Sequence, residues 1–287
     1  MIPMFVSDLL KGKKVLITGG GTGLGKSFGA RLAQLGADLV ICGRRAEVLE
    51  ATAEEFRNAT GVNVTTAICD VRDGSAIDEM FNRIWLDGPI DALINNAAGN
   101  FIARTETLSP RAIDSVLDIV LHGSLYCSVA AGKRWIAEQR KGTILSIVSA
   151  AANSGRAFTV PSAAAKAGVL AAMRSLAVEW GHYGIRTVSV SPGLFPTKAA
   201  WGQLYPEGSK LSAEELEVPM RRTGRHEELA NLVAYLLSDQ AAYINGDCIT
   251  MDGGRDLQNG GGSGIMGLFE WSPQRWDEFK AGSRASS

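Results

Sequence analysis

The chemistry in this chain begins with Thr18-Gly19-Gly20-Gly21-Thr22-Gly23-Leu24-Gly25. Glycines let a backbone turn tightly and approach a phosphate closely. A helix that starts at such a turn offers unpaired N–H groups and a positive dipole end to a pyrophosphate. The spacing is Gly-x-x-x-Gly-x-Gly, not the Gly-x-Gly-x-x-Gly of many dinucleotide folds. The plainer alternative is a glycine-rich β–α turn that holds nothing. A second group is Gly43-Arg44-Arg45. At this place dinucleotide folds put an acid for a ribose 2′-hydroxyl or an arginine for a 2′-phosphate. Two arginines and no acid favour NADP(H) over NAD(H); otherwise they are two solvated cations opening the helix that starts at Ala46. A third group is Asp70-Val71. The acid can meet an adenine amino group or cap a helix starting near Ser75.

These residues need elements to position them. Lys14–Ile17 is an apolar run leading into the glycines, and Lys26–Gly36 reads as a helix leaving them. Further strands are expected over Ala37–Cys42, Val64–Cys69, Ile90–Ile94, Gly142–Val148, Ile185–Val190 and Asp247–Met251. Helical patterns cover Arg111–Gln139, Val160–Trp180 and Glu227–Leu237. Strands alternating with helices argue for an α/β fold whose parallel sheet is covered on both faces. Ligands then sit at the carboxyl ends of the strands, where the three groups lie. The polar stretch Lys198–Glu217 suits a substrate lid. There is no linker and no repeat, so residues 1–287 read as one domain, with 255–287 as a C-terminal extension. That extension holds a Gly-rich loop, Asn259–Gly264, and two tryptophans, Trp271 and Trp276. It is expected to dock at a subunit interface or over the substrate cleft, the alternative being a disordered terminus.

Composition bounds the partners. The hydrophobic fraction of 46% is ample for a large core. A net charge of −1 gives no reason to expect nucleic acid or a membrane surface. No apolar run is expected to span a bilayer. The first eight residues lack a basic region followed by a long apolar stretch, so a cytoplasmic or organelle-matrix setting is expected. Cys42, Cys69, Cys127 and Cys248 are not paired at metal-ligand spacing and read as free thiols. The histidines, His122, His182 and His226, are scattered, and no metal site is expected.

Taken together, Thr18–Gly25, Asp70, Asn95-Asn96-Ala97-Ala98-Gly99, Ser149, Lys166, Pro192-Gly193 and Asp252-Gly253-Gly254 resemble the short-chain dehydrogenase/reductase family. The resemblance spans most of the chain, in the family's order. It implies a Rossmann-type doubly wound sheet of seven strands, a nicotinamide cofactor, and a homodimer or homotetramer built on the long helices. It implies that Thr18, Gly19, Gly21, Thr22, Gly23, Leu24 and Gly25 hold the pyrophosphate. Asn96, with Ala97, Ala98 and Gly99, would lie by the adenine ribose or nicotinamide. Lys166 would contact the nicotinamide ribose, and Pro192, Gly193, Leu194 and Thr197 the nicotinamide amide. Asp70 and Val71 would meet the adenine.

The catalytic tyrosine of ordinary members falls at Ser162, four residues before Lys166. A serine hydroxyl is far less acidic than a phenol, whose pKa is about 10. The family's helix asparagine falls at Val120. Within the family, this pattern is similar to the 2,4-dienoyl-CoA reductases, through Ala97–Phe101, Val160–Gly168 and Leu176–Gly181. Their upstream tyrosine aligns with Ala151, and the aspartate some of them use falls at or near Val120. The resemblance implies that NADPH gives hydride to the far end of a conjugated acyl-CoA thioester. Asn100 would hold the thioester oxygen, with Ser149, Ser162 and Lys166 as the other catalytic groups. Two alternatives stay open. One is a carbonyl or imine reductase using Ser149 and Lys166, and the other a dinucleotide-binding sensor or scaffold without catalysis.

Overall fold

A computed structural model of the chain describes residues 5–197, 218–258, 268 and 271–278. The expected lid over Lys198–Glu217 and the loop Asn259–Gly264 lie outside the described residues. Seven parallel strands form the sheet: β1 (Lys14–Thr18), β2 (Asp38–Gly43), β3 (Val64–Ile68), β4 (Ala92–Asn95), β5 (Gly142–Ile147), β6 (Ile185–Pro192) and β7 (Cys248–Met251). Their order is β3-β2-β1-β4-β5-β6-β7. The central strands are covered on both faces, which is why they read as nearly unbroken apolar runs. The chain winds outward from β1 through β3, then returns to place β4 on the other side of β1. Ile17 is therefore in register with both Ile41 and Ile94. At this reversal the connections leave in opposite directions and open a crevice at the carboxyl ends.

One face carries α1 (Gly23–Gln34), α2 (Ala46–Thr60) and α8 (His226–Leu237), whose Phe28, Phe56 and Leu229 join Ile17 and Ile94 in one core. On the other face lie α3 (Gly74–Leu86), α4 (Pro110–Leu117), α5 (Gly123–Ala137), α6 (Ala151–Ser154) and α7 (Val160–Trp180). There Phe81, Trp135 and Met173 pack on Leu16 and Leu93.

Three expectations change. The long helix is not continuous, because a π-helical turn, Asp118–His122, separates α4 from α5 and the Gly123 N–H reaches back to Asp118 O. A Cβ on Gly123 would lie 2.8 Å from Val71 Cγ2, so the glycine lets α5 press against the loop after β3. The run Pro110–Ala137 is also, at 28 residues, long and apolar enough to cross a membrane. Half of its most apolar window is buried in the fold, and Trp135 Nε1 donates to Ile90 O at 2.7 Å, so packing accounts for its apolarity. The α3 cap, finally, is Asp73 and not Asp70: Asp73 Oδ1 accepts from the N–H groups of Ser75 and Ala76. All four cysteines are free thiols.

Candidate active site

The crevice is one cavity of about 940 Å³, running from Arg44, Arg45 and Asp70 at one end to Ser162 and Lys166 at the other. Of the expected site residues, all but Thr18 and Gly25 line it. Those two act from behind. Thr18 is buried at the end of β1, and its Oγ1 accepts from the N–H groups of Asn96 and Ala97, each at 3.0 Å. A Cβ on Gly25 would stand 2.4 Å from Gly19 O and 2.6 Å from Asn96 Nδ2. Only glycine lets α1 come so close to the loop. Asn96 Nδ2 itself donates to the carbonyls of Thr18 and Gly19, at 2.9 and 3.3 Å. Its amide therefore ties β4 to the glycine turn, and the rest of the residue forms wall.

The turn fits a pyrophosphate. Gly19 and Gly23 have φ of +67° and +56°, the left-handed region that favours glycine. Helix α1 has no side-chain cap and no acid in its first turn. Among the described residues, the amides of Gly21, Thr22 and Gly23 have no partner. Unpaired N–H groups at a helix start, facing a cavity through glycines, form an anion cradle. At the adenosine end, Arg44 and Arg45 are exposed, and neither is in an ion pair among the described residues. Asp70 is clamped by Arg72, whose Nε lies 3.0 Å from each carboxylate oxygen. That contact, with a smaller contribution from Arg44, holds the Asp70 carboxyl below its usual range. Sequence reasoning missed Arg72, although its place two residues after Asp70 in a turn was a usable signal.

At the other end, Ser162 and Lys166 are four residues apart on α7 and so share one face. Lys166 is buried, and its Nζ donates to Ile147 O at 2.5 Å. Burial pushes its ammonium down to about 8. Asn100 follows β4 on the loop that forms the facing wall. Its Oδ1 accepts the Phe101 N–H at 2.9 Å, which fixes the amide's orientation. Among the described residues Nδ2 has no partner, so it remains a donor at the cavity wall. Val120 packs with Val116, Ala165 and Phe101 and offers no titratable group. Ser149 completes the wall after β5. A Cβ on Gly193 would lie 2.5 Å from Asp252 Cβ, so that glycine lets the β6 and β7 ends close together. Arg156, Thr159 and Arg255 also line the cavity. Nothing in their spacing announced them.

A doubly wound parallel sheet with a glycine-rich turn at its switch point is the architecture of a dinucleotide-binding fold. Residues 19–256 match the family model described as "Enoyl-(Acyl carrier protein) reductase". A probable 2,4-dienoyl-CoA reductase of Bacillus subtilis is 45% identical over 247 residues, covering 85% of this chain and 97% of its own. Probable 2,4-dienoyl-CoA reductase 3 of Caenorhabditis elegans is 42% identical over 280 residues, 96% of this chain and 91% of its own. A crystal structure of a short chain dehydrogenase from Bacillus anthracis superimposes with a TM-score of 0.77 at 45% identity, covering 85% of this chain and 96% of that one. The chain belongs to the short-chain dehydrogenase/reductase family. It is an oxidoreductase whose fold binds a nicotinamide dinucleotide.

Proposed function

We propose that this protein is an NADPH-dependent reductase of a conjugated C=C bond in an enoyl- or dienoyl-CoA thioester. The observation that carries the reading is Asn100. Its acceptor is engaged by Phe101, among the described residues its donor has no partner, Asn100 lines the cavity, and no tyrosine among the described residues lines it. Reduced nicotinamide, when bound, supplies a hydride. The protein's own task is to hold what the hydride creates. Hydride addition at the far end of a conjugated thioester leaves negative charge on the thioester oxygen. A fixed N–H donor aimed at that oxygen lowers the barrier without surrendering its proton. Asn100 Nδ2 is that donor, and the Ser162 hydroxyl assists. The enolate then takes its proton at carbon from water. A ketone would instead form an alkoxide, which needs prompt protonation from an acid nearby, and Ser162 is a poor acid.

Lys166 supplies positive charge and positions the nicotinamide ribose, while Ile147 O fixes its ammonium. The glycine turn and the amides of Gly21–Gly23 hold the pyrophosphate. Arg44 and Arg45 hold a 2′-phosphate, which sets the preference for NADPH. Arg72 supports that preference by neutralising Asp70, which would otherwise repel the phosphate. A homodimer or homotetramer working in the cytosol or an organelle matrix belongs to the same reading. The test is NADPH oxidation by purified protein with a panel of 2,4-dienoyl-, 2-enoyl- and 3-ketoacyl-CoA thioesters. Turnover of a conjugated thioester with negligible ketone reduction is expected. Efficient ketone reduction with no conjugated substrate accepted would overturn the reading. Dinucleotide binding with no turnover of any thioester would favour a sensor or scaffold.

A further inference from the structure

His226 bridges two parts of the molecule that must grip the dinucleotide between them. It is the first residue of α8. Its Nε2 lies 2.7 Å from Pro196 O, and its Nδ1 lies 2.8 Å from Ser27 Oγ. A carbonyl only accepts, so Nε2 carries a hydrogen and donates it. Nδ1 and Ser27 Oγ form the other hydrogen bond of the bridge. Ser27 stands one turn into α1, and its Oγ is also 3.1 Å from Gly23 O. Pro196 belongs to the arm that leaves β6, from which Leu194, Phe195 and Thr197 line the cavity.

The two sides of this bridge face each other directly. A Cβ on Gly23 would meet Thr197 Cγ2 at 3.6 Å, so the arm lies against the phosphate turn. The run leading into α8 grips the arm a second time, since Gly224 N donates to Leu194 O at 2.9 Å. A Cβ on Gly224 would fall 2.3 Å from the Phe195 ring, so only glycine leaves room for that ring. The arm is thus backed by α8, and His226 ties it onward to the helix whose N-terminus would cradle the pyrophosphate. Neither His226 nor Ser27 lines the cavity, so neither is placed to touch the cofactor.

We propose that His226 is a latch: a positioning residue that holds the Pro192–Thr197 arm closed over the dinucleotide and sets how fast it leaves. For its ligand this rests on the cofactor reading above; for its geometry it does not. Releasing a dinucleotide from between the arm and the glycine turn requires those two to part. The Ser27–His226–Pro196 bridge is a polar tie across that seam. Breaking one hydrogen bond of ordinary net strength changes an equilibrium about tenfold.

The test uses the full chain with His226→Ala, His226→Gln and Ser27→Ala. In His226→Gln the side-chain amide keeps a donor for Pro196 O. NADPH affinity and dissociation rate are read by nucleotide fluorescence. Amide hydrogen exchange across residues 193–197 is read in the cofactor-free protein. His226→Ala is expected to weaken NADPH about tenfold, mostly through faster dissociation, and to raise its KM without lowering kcat. Exchange across the arm should quicken, and His226→Gln should recover most of both effects. Ser27→Ala, which loosens only the α1 end, should fall between. If His226→Ala does not fold, the other two variants carry the same comparison. A lower melting temperature with unchanged NADPH dissociation and unchanged arm exchange would overturn the latch and leave the cofactor reading standing. Failure of the unmodified protein to bind either NADPH or NADH would overturn both.

Discussion

In the reading proposed here, Asn100 and Lys166 divide the work of a site in which, among the described residues, no tyrosine lines the cavity. Asn100 is oriented by a bond to its own neighbour, Phe101 N, so its donor is pre-set and needs no reorganisation during reaction. Asn100→Ala should slow hydride transfer to a dienoyl thioester by about 10²-fold, the scale of one lost oxyanion donor, in single-turnover kinetics. Ser162→Ala should cost less. Lys166 gives a pH signature. Its ammonium titrates at about 8 because burial disfavours the charged form. If Lys166 positions the nicotinamide ribose as proposed, the free enzyme's kcat/KM should hold below that pH and fall above it. Stability moves the other way. Between about 8 in the folded protein and 10.5 in the unfolded chain, only the unfolded state keeps the proton. Unfolding then takes up a proton, so stability rises with pH across that window, by up to about 3 kcal/mol. Below the window the folded protein carries the full cost of a buried charge. Denaturant titrations at several pH values should show the rise, and Lys166→Met should abolish it.

At the scale of elements, the turn between β1 and α1 and the end of β2 line one cavity. A methyl group at Gly25 would collide with Gly19 O and Asn96 Nδ2, both held by the β1–β4 junction. Gly25→Ala should lower stability by about 1–3 kcal/mol, the usual range for overpacking, and weaken both dinucleotides together. Thermal melting and NADH binding would check this. Replacing Arg44 and Arg45 with alanine should instead separate the two cofactors. Each charge-assisted contact is worth about 1.5–3 kcal/mol, so NADPH should weaken by two orders of magnitude or more while NADH binding stays within about twofold. Equal affinity of the unmodified protein for NADH and NADPH would remove the basis for this. The π-turn Asp118–His122 belongs at this scale too. It lets Gly123 approach Val71 while burying Val120 against Val116, Ala165 and Phe101.

For the whole molecule, the sheet ends at β7 and the chain continues. Asp252 anchors the first step beyond it: its carboxylate accepts from the N–H groups of Gly254 and Asp256. Further on, the rings of Trp271 and Trp276 lie 5.0 Å apart, with Arg275 over Trp271. This is a small apolar unit outside the main core, of the kind that gains from docking on a larger surface. Truncation after Gln258 keeps the Asp252 anchor and removes that unit. The expected result is a smaller assembly in sedimentation or a raised KM for the thioester. Unchanged assembly and unchanged kinetics would make the tail a terminus without a part in either.

The alternation of strands and helices, the glycine turn and the Arg44-Arg45 pair were legible in the sequence because each is a local pattern. A parallel sheet buried on both faces demands apolar runs, and a tight phosphate turn demands glycines. Lys166 and Ser162 were singled out by the resemblance to the short-chain dehydrogenase/reductase family, and their spacing of four then puts them on one face of α7. What only the tertiary structure decided involves partners far apart in the chain, or a choice between near neighbours. Asp73, not Asp70, caps α3, because Arg72 folds back on Asp70. A single long apolar pattern became two helices around a π-turn, because the surface under Gly123 belongs to another loop. Asn100 acquired a free donor only through the backbone path that brings Phe101 N to its oxygen. His226, one of three scattered histidines, joined Ser27, 199 residues away, and Pro196, 30 away, because the sheet brings the starts of α1 and α8 and the end of β6 to one edge of the crevice. Periodicity reports which face of an element is buried; it does not report which distant atom that face will meet.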